Sequence, residues 1–143
     1  MIALALAGAL LVSPGPPPNS YEALVARGLD LGREGRFDDA SRAFDAAILE
    51  NPSRPEAWGE RGGLRFLEKR YPEAARDFAE LLKKYPKAQR APEGMLKLGL
   101  ALFELGQMKE GCAALVALPA KYPDATPAVA ARARSERTNN KCR

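Results

Sequence analysis

Small and apolar positions recur along the chain at a constant interval. Gly28, Ala40, Phe44 and Pro52 return 34 residues later as Gly62, Ala74, Phe78 and Pro86. Trp58, Gly62, Tyr71, Phe78, Leu81 and Pro86 return 37 residues later as Met95, Gly99, Met108, Leu115, Leu118 and Pro123, with Gly111 in place of Ala74. The three extra residues fall in the linker from Lys87 to Pro92. A fixed interval of this length marks stacked copies of one supersecondary unit. The residue types predict a helix pair in each copy. Gly28, Gly62 and Gly99 let the first helix approach the second closely, and Phe44, Phe78 and Leu115 fill the space between them. Pro52, Pro86 and Pro123 stop each second helix, because proline lacks the N–H that the next turn would need.

A large residue, then Gly, then Ala-x3-Phe, then Pro at period 34 resembles the tetratricopeptide repeat family. The resemblance implies an all-α solenoid of helix-turn-helix repeats at 21–54, 55–88 and 92–125. From Ala125 to about Thr138 an alanine- and arginine-rich stretch offers Val129, Ala130 and Ala133 as one face, which suits a helix covering the last exposed apolar edge of a solenoid. With the basic tail it makes up residues 126–143. Pro119, late in the third second helix, removes a hydrogen bond to Leu115 and predicts an early end or kink there.

Members of this family line a concave groove with their first helices. Carried onto this chain, the groove positions are Val25, Leu29 and Gly32, then Gly59, Gly63 and Phe66, then Leu96, Leu100 and Phe103. An apolar floor of this kind suits a peptide or helix anchored by apolar side chains, with Glu22, Glu56, Glu60, Glu93 and Lys97 as rim charges. The alternative for Phe66 and Phe103 is plain packing against neighbouring helices. Val25, Leu29 and Gly63 stand where chaperone-binding members carry Lys and Asn, so a carboxylate clamp is not expected.

Charge and composition narrow the chemistry. The 143 residues carry 22 Lys and Arg against 18 Asp and Glu, for a net charge of +4, and contain no histidine. Imidazole bases and imidazole zinc ligands are therefore excluded. The excess sits in Arg132, Arg134, Arg137, Lys141 and Arg143 rather than in a basic stripe with interleaved aromatics, so nucleic-acid binding is not expected. The carboxylates, such as Asp38 and Asp39 near Arg36 and Arg42, read as solvated helix faces. Phosphate-loop, dinucleotide and metalloprotease motifs do not occur, and Gly59, Gly62 and Gly63 fall inside a helix rather than at a strand–helix junction. No cofactor, no metal and no catalytic residue are expected.

The apolar run from Ile2 to Val12, followed by Ser13-Pro14-Gly15, reads as a signal-like segment over residues 1–15, with a proline-rich linker at 16–20. It is shorter than the roughly 20 residues that a membrane span needs. An apolar arm or a mis-assigned start is the alternative. Without His, the two cysteines cannot build an ordinary four-ligand zinc site.

The segment GMLKLGLALFELGQMKEGCAALVALPAKYP, with the basic helix and terminal cysteine after it, resembles the C-terminal repeat domain of the Tol-Pal-associated cell division coordinators of Gram-negative envelopes. That resemblance implies a periplasmic scaffold that contacts Tol proteins and a peptidoglycan synthase. Cys112 lies near the start of the third second helix, and Cys142 lies just past a capping helix that returns along it. The two could meet in a disulfide worth about 3.5 kcal/mol in the chain-entropy model; two unpaired thiols, or a catalytic or redox-sensing thiol, are the alternatives. The expected function is a non-enzymatic protein-interaction scaffold of the bacterial envelope. The alternative is a cytoplasmic adaptor or accessory subunit.

Overall fold

In a computed structural model the chain is described at residue 8 and over residues 10–143. Among these residues run seven helices and no strand: α1 (Tyr21–Arg33), α2 (Phe37–Glu50), α3 (Glu56–Leu67), α4 (Tyr71–Lys84), α5 (Ala91–Glu104), α6 (Met108–Lys121) and α7 (Pro127–Asn139). The signal-like expectation falls mainly on residues 1–7 and 9, outside the described residues. Leu10, Leu11 and Val12 are exposed, and no helix precedes Tyr21 among the described residues. No described helix is long and apolar enough to cross a membrane.

The helices stack as three antiparallel pairs, α1 on α2, α3 on α4 and α5 on α6, with α2 and α4 also packing on the first helix of the next pair. The glycines set the spacing within each pair. A Cβ on Gly28 would lie 2.5 Å from the Phe44 ring, one on Gly62 2.9 Å from Phe78, and one on Gly99 2.8 Å from Leu115. Phe44, Phe78, Leu81, Leu115 and Leu118 are among the largest fully buried side chains.

The turn inside each pair is the same. The N–H groups of Arg36, Arg70 and Gln107 reach back to the carbonyls of Leu31, Arg65 and Leu102, closing a six-residue helix-ending loop. That loop needs one left-handed residue, supplied by Gly35 (φ 77°), Lys69 (φ 60°) and Gly106 (φ 75°). Lys69 takes this conformation at a cost of about 1 kcal/mol that glycine would avoid. The end of α7 repeats the motif, with Lys141 at φ 53° and the Cys142 N–H on the Arg137 carbonyl. α7 is thus in the register of a fourth first helix. Arg134 stands seven residues before its turn, where Gly28, Gly62 and Gly99 stand before theirs. An exposed arginine at the site where a second helix would press its apolar side chain makes the outer face of α7 polar.

α2, α4 and α6 each end two residues before their proline. Pro119 does not shorten α6, contrary to expectation. The helix runs on to Lys121, its last turn held by the Tyr122 N–H on the Leu118 carbonyl at 2.8 Å. Leu118 and Tyr122 are buried, and their packing holds the backbone helical although proline withdraws one bond on the exposed side.

α3 begins without a side-chain cap of its own. Tyr21, from the start of α1, supplies one: its hydroxyl accepts the Ala57 N–H at 2.9 Å and donates to Glu56 Oε2 at 3.2 Å. Burial pushes the Tyr21 phenol up to about 12; the Ala57 bond opposes this and the Glu56 carboxylate adds to it. A pKa raised above its unfolded value near 10 gives stability that is complete below about pH 10 and lost as pH climbs toward 12. Tyr21→Phe is expected to cost about 1–2 kcal/mol near neutral pH. In urea titrations of both proteins, that gap should narrow by about pH 11.

Candidate functional site

Between α1, α3 and α5 lies an open apolar cleft of about 430 Å³. Its walls are Leu29 on α1 and Leu64, Phe66 and Leu67 on α3, with Arg33, Glu60 and Lys97 among the polar groups lining it. Phe66 is held by an edge-to-face contact with Tyr71, ring centroids 5.2 Å apart, and Leu67 is 71% exposed.

Gly32 and Gly63 give the cleft its depth. A Cβ on Gly32 would come no closer than 3.8 Å to Leu64, and one on Gly63 no closer than 3.8 Å to Lys97 Nζ. Either position would accept a methyl group without a clash. Glycine inside a helix costs about 1 kcal/mol relative to alanine. Unlike Gly28, Gly62 and Gly99, these two glycines serve no helix contact, and what they contribute is open space in the cleft.

Of the groove positions expected from sequence, the structure brings Leu29, Gly32, Gly63 and Phe66 together at this cleft. The other five lie elsewhere. Val25 is half-buried between the two core clusters of the first repeats. Gly59 faces Leu81, where its Cβ would sit 3.6 Å from Cδ2. Leu96 is 7% exposed and belongs to the core shared by α5, α6 and α7, with Leu100 packed on the same cluster. Phe103 lies on Gly111 of α6, whose Cβ would come within 2.6 Å of its ring. Because α7 occupies the place of a fourth first helix, it draws this side of α5 into the core.

Arg33, Leu64 and Leu67 are additional lining residues. Arg33 and Leu67 share one repeat position, the end of the first helix, and their 34-residue spacing is the signal that could have found them.

The rim carboxylates are occupied. Arg54, in the first linker, pairs with Glu22 of α1 and Glu56 of α3; Arg90, in the second linker, pairs with Glu60 of α3 and Glu93 of α5. Lys97 pairs with Glu93 at 2.8 Å. Burial pushes the Glu93 carboxyl up, yet its hydrogen bonds to Lys97 and Arg90 hold it below the usual carboxylate range. Arg54 and Arg90 thereby bridge the first helices of successive repeats at the groove rim, whereas the Lys97–Glu93 pair lies within α5.

One carboxylate departs from the solvated-face expectation. Asp77 is 1% exposed. It accepts from Arg61 Nε at 3.0 Å, Arg61 Nη2 at 2.8 Å and Arg65 Nη1 at 2.8 Å, and Arg61 also donates to Asp45 at 2.7 Å. Asp39, by contrast, pairs with Arg36 and Arg42 on the surface as expected. Among the described residues no group of three or more acidic or cysteine side chains could hold a metal ion.

A solenoid of stacked helix pairs with a concave cleft defines a helical repeat protein. Residues 25–89 and 93–125 match family models of the tetratricopeptide repeat, and the chain belongs to that family. Among curated proteins it is similar to the O-mannosyl-transferase TMTC1 of Mus musculus, 26% identical over 106 residues that make up 74% of this chain and 11% of that protein. The chain therefore spans about a tenth of that relative's length. Among solved structures it is similar in fold to PcrH from Pseudomonas aeruginosa, with TM-score 0.78 and 19% identity over 92% of this chain and 99% of that one. The second repeat domain of human RPAP3, solved with the HSP70 peptide SGPTIEEVD, gives TM-score 0.70 and 15% identity over 87% of this chain and 100% of that one. PcrH has also been solved in complex with the chaperone binding region of PopD.

Proposed function

We propose that the chain is a non-enzymatic scaffold that holds a segment of a partner protein in the cleft between α1, α3 and α5. The observation that carries this is the hollow above Gly32 and Gly63, two helical glycines whose cost to stability is matched by no packing contact. About 430 Å³ with apolar walls admits a large apolar side chain or two, and the open mouth lets the chain that carries them run along the groove. The peptide-bound RPAP3 domain and the PcrH–PopD complex support this use of the fold.

The specific form of the proposal is an envelope scaffold with Tol proteins or a peptidoglycan synthase as partner. It draws on the sequence of the last repeat and on the Cys112–Cys142 disulfide, a bond that persists in oxidising compartments. A cytoplasmic adaptor is the second reading, supported by the likeness to secretion chaperones such as SycD of Yersinia enterocolitica.

The test places a photo-crosslinking residue at Leu67 and compares the parent with Gly63→Leu. The added Cβ would meet only the flexible end of Lys97 and the rest of the leucine would extend into the hollow, so thermal stability should hold. Crosslinked partner should fall by about tenfold or more. A folded Gly63→Leu protein that captures the same partner at the same yield would end the cleft proposal.

A further inference from the structure

α7 is the least anchored helix of the fold. It buries one residue fully, Ala133, whereas α1 to α6 bury between three and six each. Its apolar contribution is Val129 and Ala133, set against a core that includes Leu96, Leu118 and Tyr122. The seat is also imperfect. The buried Tyr122 hydroxyl has no hydrogen-bond partner, and an open cleft of about 690 Å³ runs beside Tyr122 and Val129 at the start of α7. Arg132 and Arg134 are exposed, and among the described residues no second helix covers them.

What ties this helix down is covalent. Cys142, in the left-handed turn that ends α7, is bonded to Cys112 in the second turn of α6 across a separation of 30 residues. Both cysteines are partly exposed, within reach of a small reductant. A cross-link closing a loop of this length favours docking by roughly a few hundredfold in the chain-entropy model. That factor is decisive for a helix with so little buried surface.

We infer that the Cys112–Cys142 disulfide is a redox latch. While it is closed, α7 covers the end of the solenoid; when a dithiol reduces it, α7 leaves and bares the apolar face of α5 and α6. The dithiol attacks one sulfur, passes through a mixed disulfide and closes to its own disulfide. Two electrons and two protons move to Cys112 and Cys142, which become free thiols. Leu96, Leu100 and Leu118 then border solvent and offer the edge on which a following helix would stack.

The experiment is limited trypsin digestion of the full chain, oxidised and with dithiothreitol, alongside Cys142→Ser and Cys112→Ser. Cleavage after Arg132 and Arg134 requires α7 to open locally. It should be at least about tenfold faster in the reduced protein and in both variants, with a rise in hydrophobic-dye fluorescence. Amides of α1 to α4 should keep their hydrogen-exchange protection throughout. Equal resistance of oxidised and reduced protein would overturn the latch. So would loss of protection across α1 to α4 on reduction, because the bond would then be holding the whole fold rather than one helix.

Discussion

Asp77→Ala is expected to destabilise the protein by about 3–5 kcal/mol, the cost of leaving buried charge without its partner. Asp77 receives three hydrogen bonds from Arg61 and Arg65, whose side chains are 13% and 16% exposed. Arg65 Nε is already buried without a partner, so losing Asp77 leaves this guanidinium with a second unmet donor. An exposed pair such as Arg33–Asp30, with side chains about 70% exposed, should by contrast be worth less than about 1 kcal/mol. Urea unfolding at neutral pH would measure both. Replacing Asp77, Arg61 and Arg65 together by apolar residues of similar volume should recover most of the loss, since the penalty lies in the unpaired charge rather than in the missing ion pair. An Asp77→Ala protein within 1 kcal/mol of the parent would mean that water reaches the two guanidinium groups.

Gly111→Ala should also destabilise, by about 1–3 kcal/mol, although helix propensity alone predicts a gain of about 1 kcal/mol. Alanine at this position would match Ala40 and Ala74 of the first two repeats. In the third repeat, however, the added methyl would lie 2.6 Å from the Phe103 ring and 3.0 Å from the Gly99 carbonyl oxygen. The ring could yield, but the backbone oxygen of a packed helix cannot move without separating α5 from α6. Phe103→Leu should relieve part of the clash. Thermal melts of the two single variants and the double variant would show the pair to be non-additive, with the double variant more stable than the two costs summed. Additive costs would show that the ring does not set the glycine.

Much of the fold was legible because a solenoid is built from contacts between neighbours in sequence. The glycine that admits an aromatic ring 16 residues later, and the proline that follows each second helix, act within one repeat. Each is written again in the next copy. Asp77 was legible too in principle. It stands 34 residues after Ala43, on the stripe Ala74, Asp77, Phe78 and Leu81 that α4 buries, so a charge there marks a buried ion pair. The candidate site was harder to read, because equivalent positions in successive repeats stop being equivalent once the stack ends.

The sequence alone therefore determined the class of fold, the helix pairing and the interval, since these depend on local geometry and on side chains that meet within one repeat. Only the tertiary structure decided which groove positions form a cleft, that α7 takes the place of a fourth first helix and draws Leu96 and Leu100 into the core, that Phe103 seats on Gly111 of α6, and that Cys112 is bonded to Cys142. Those outcomes depend on how the repeats stack and on what covers the last one, and no single repeat carries that information.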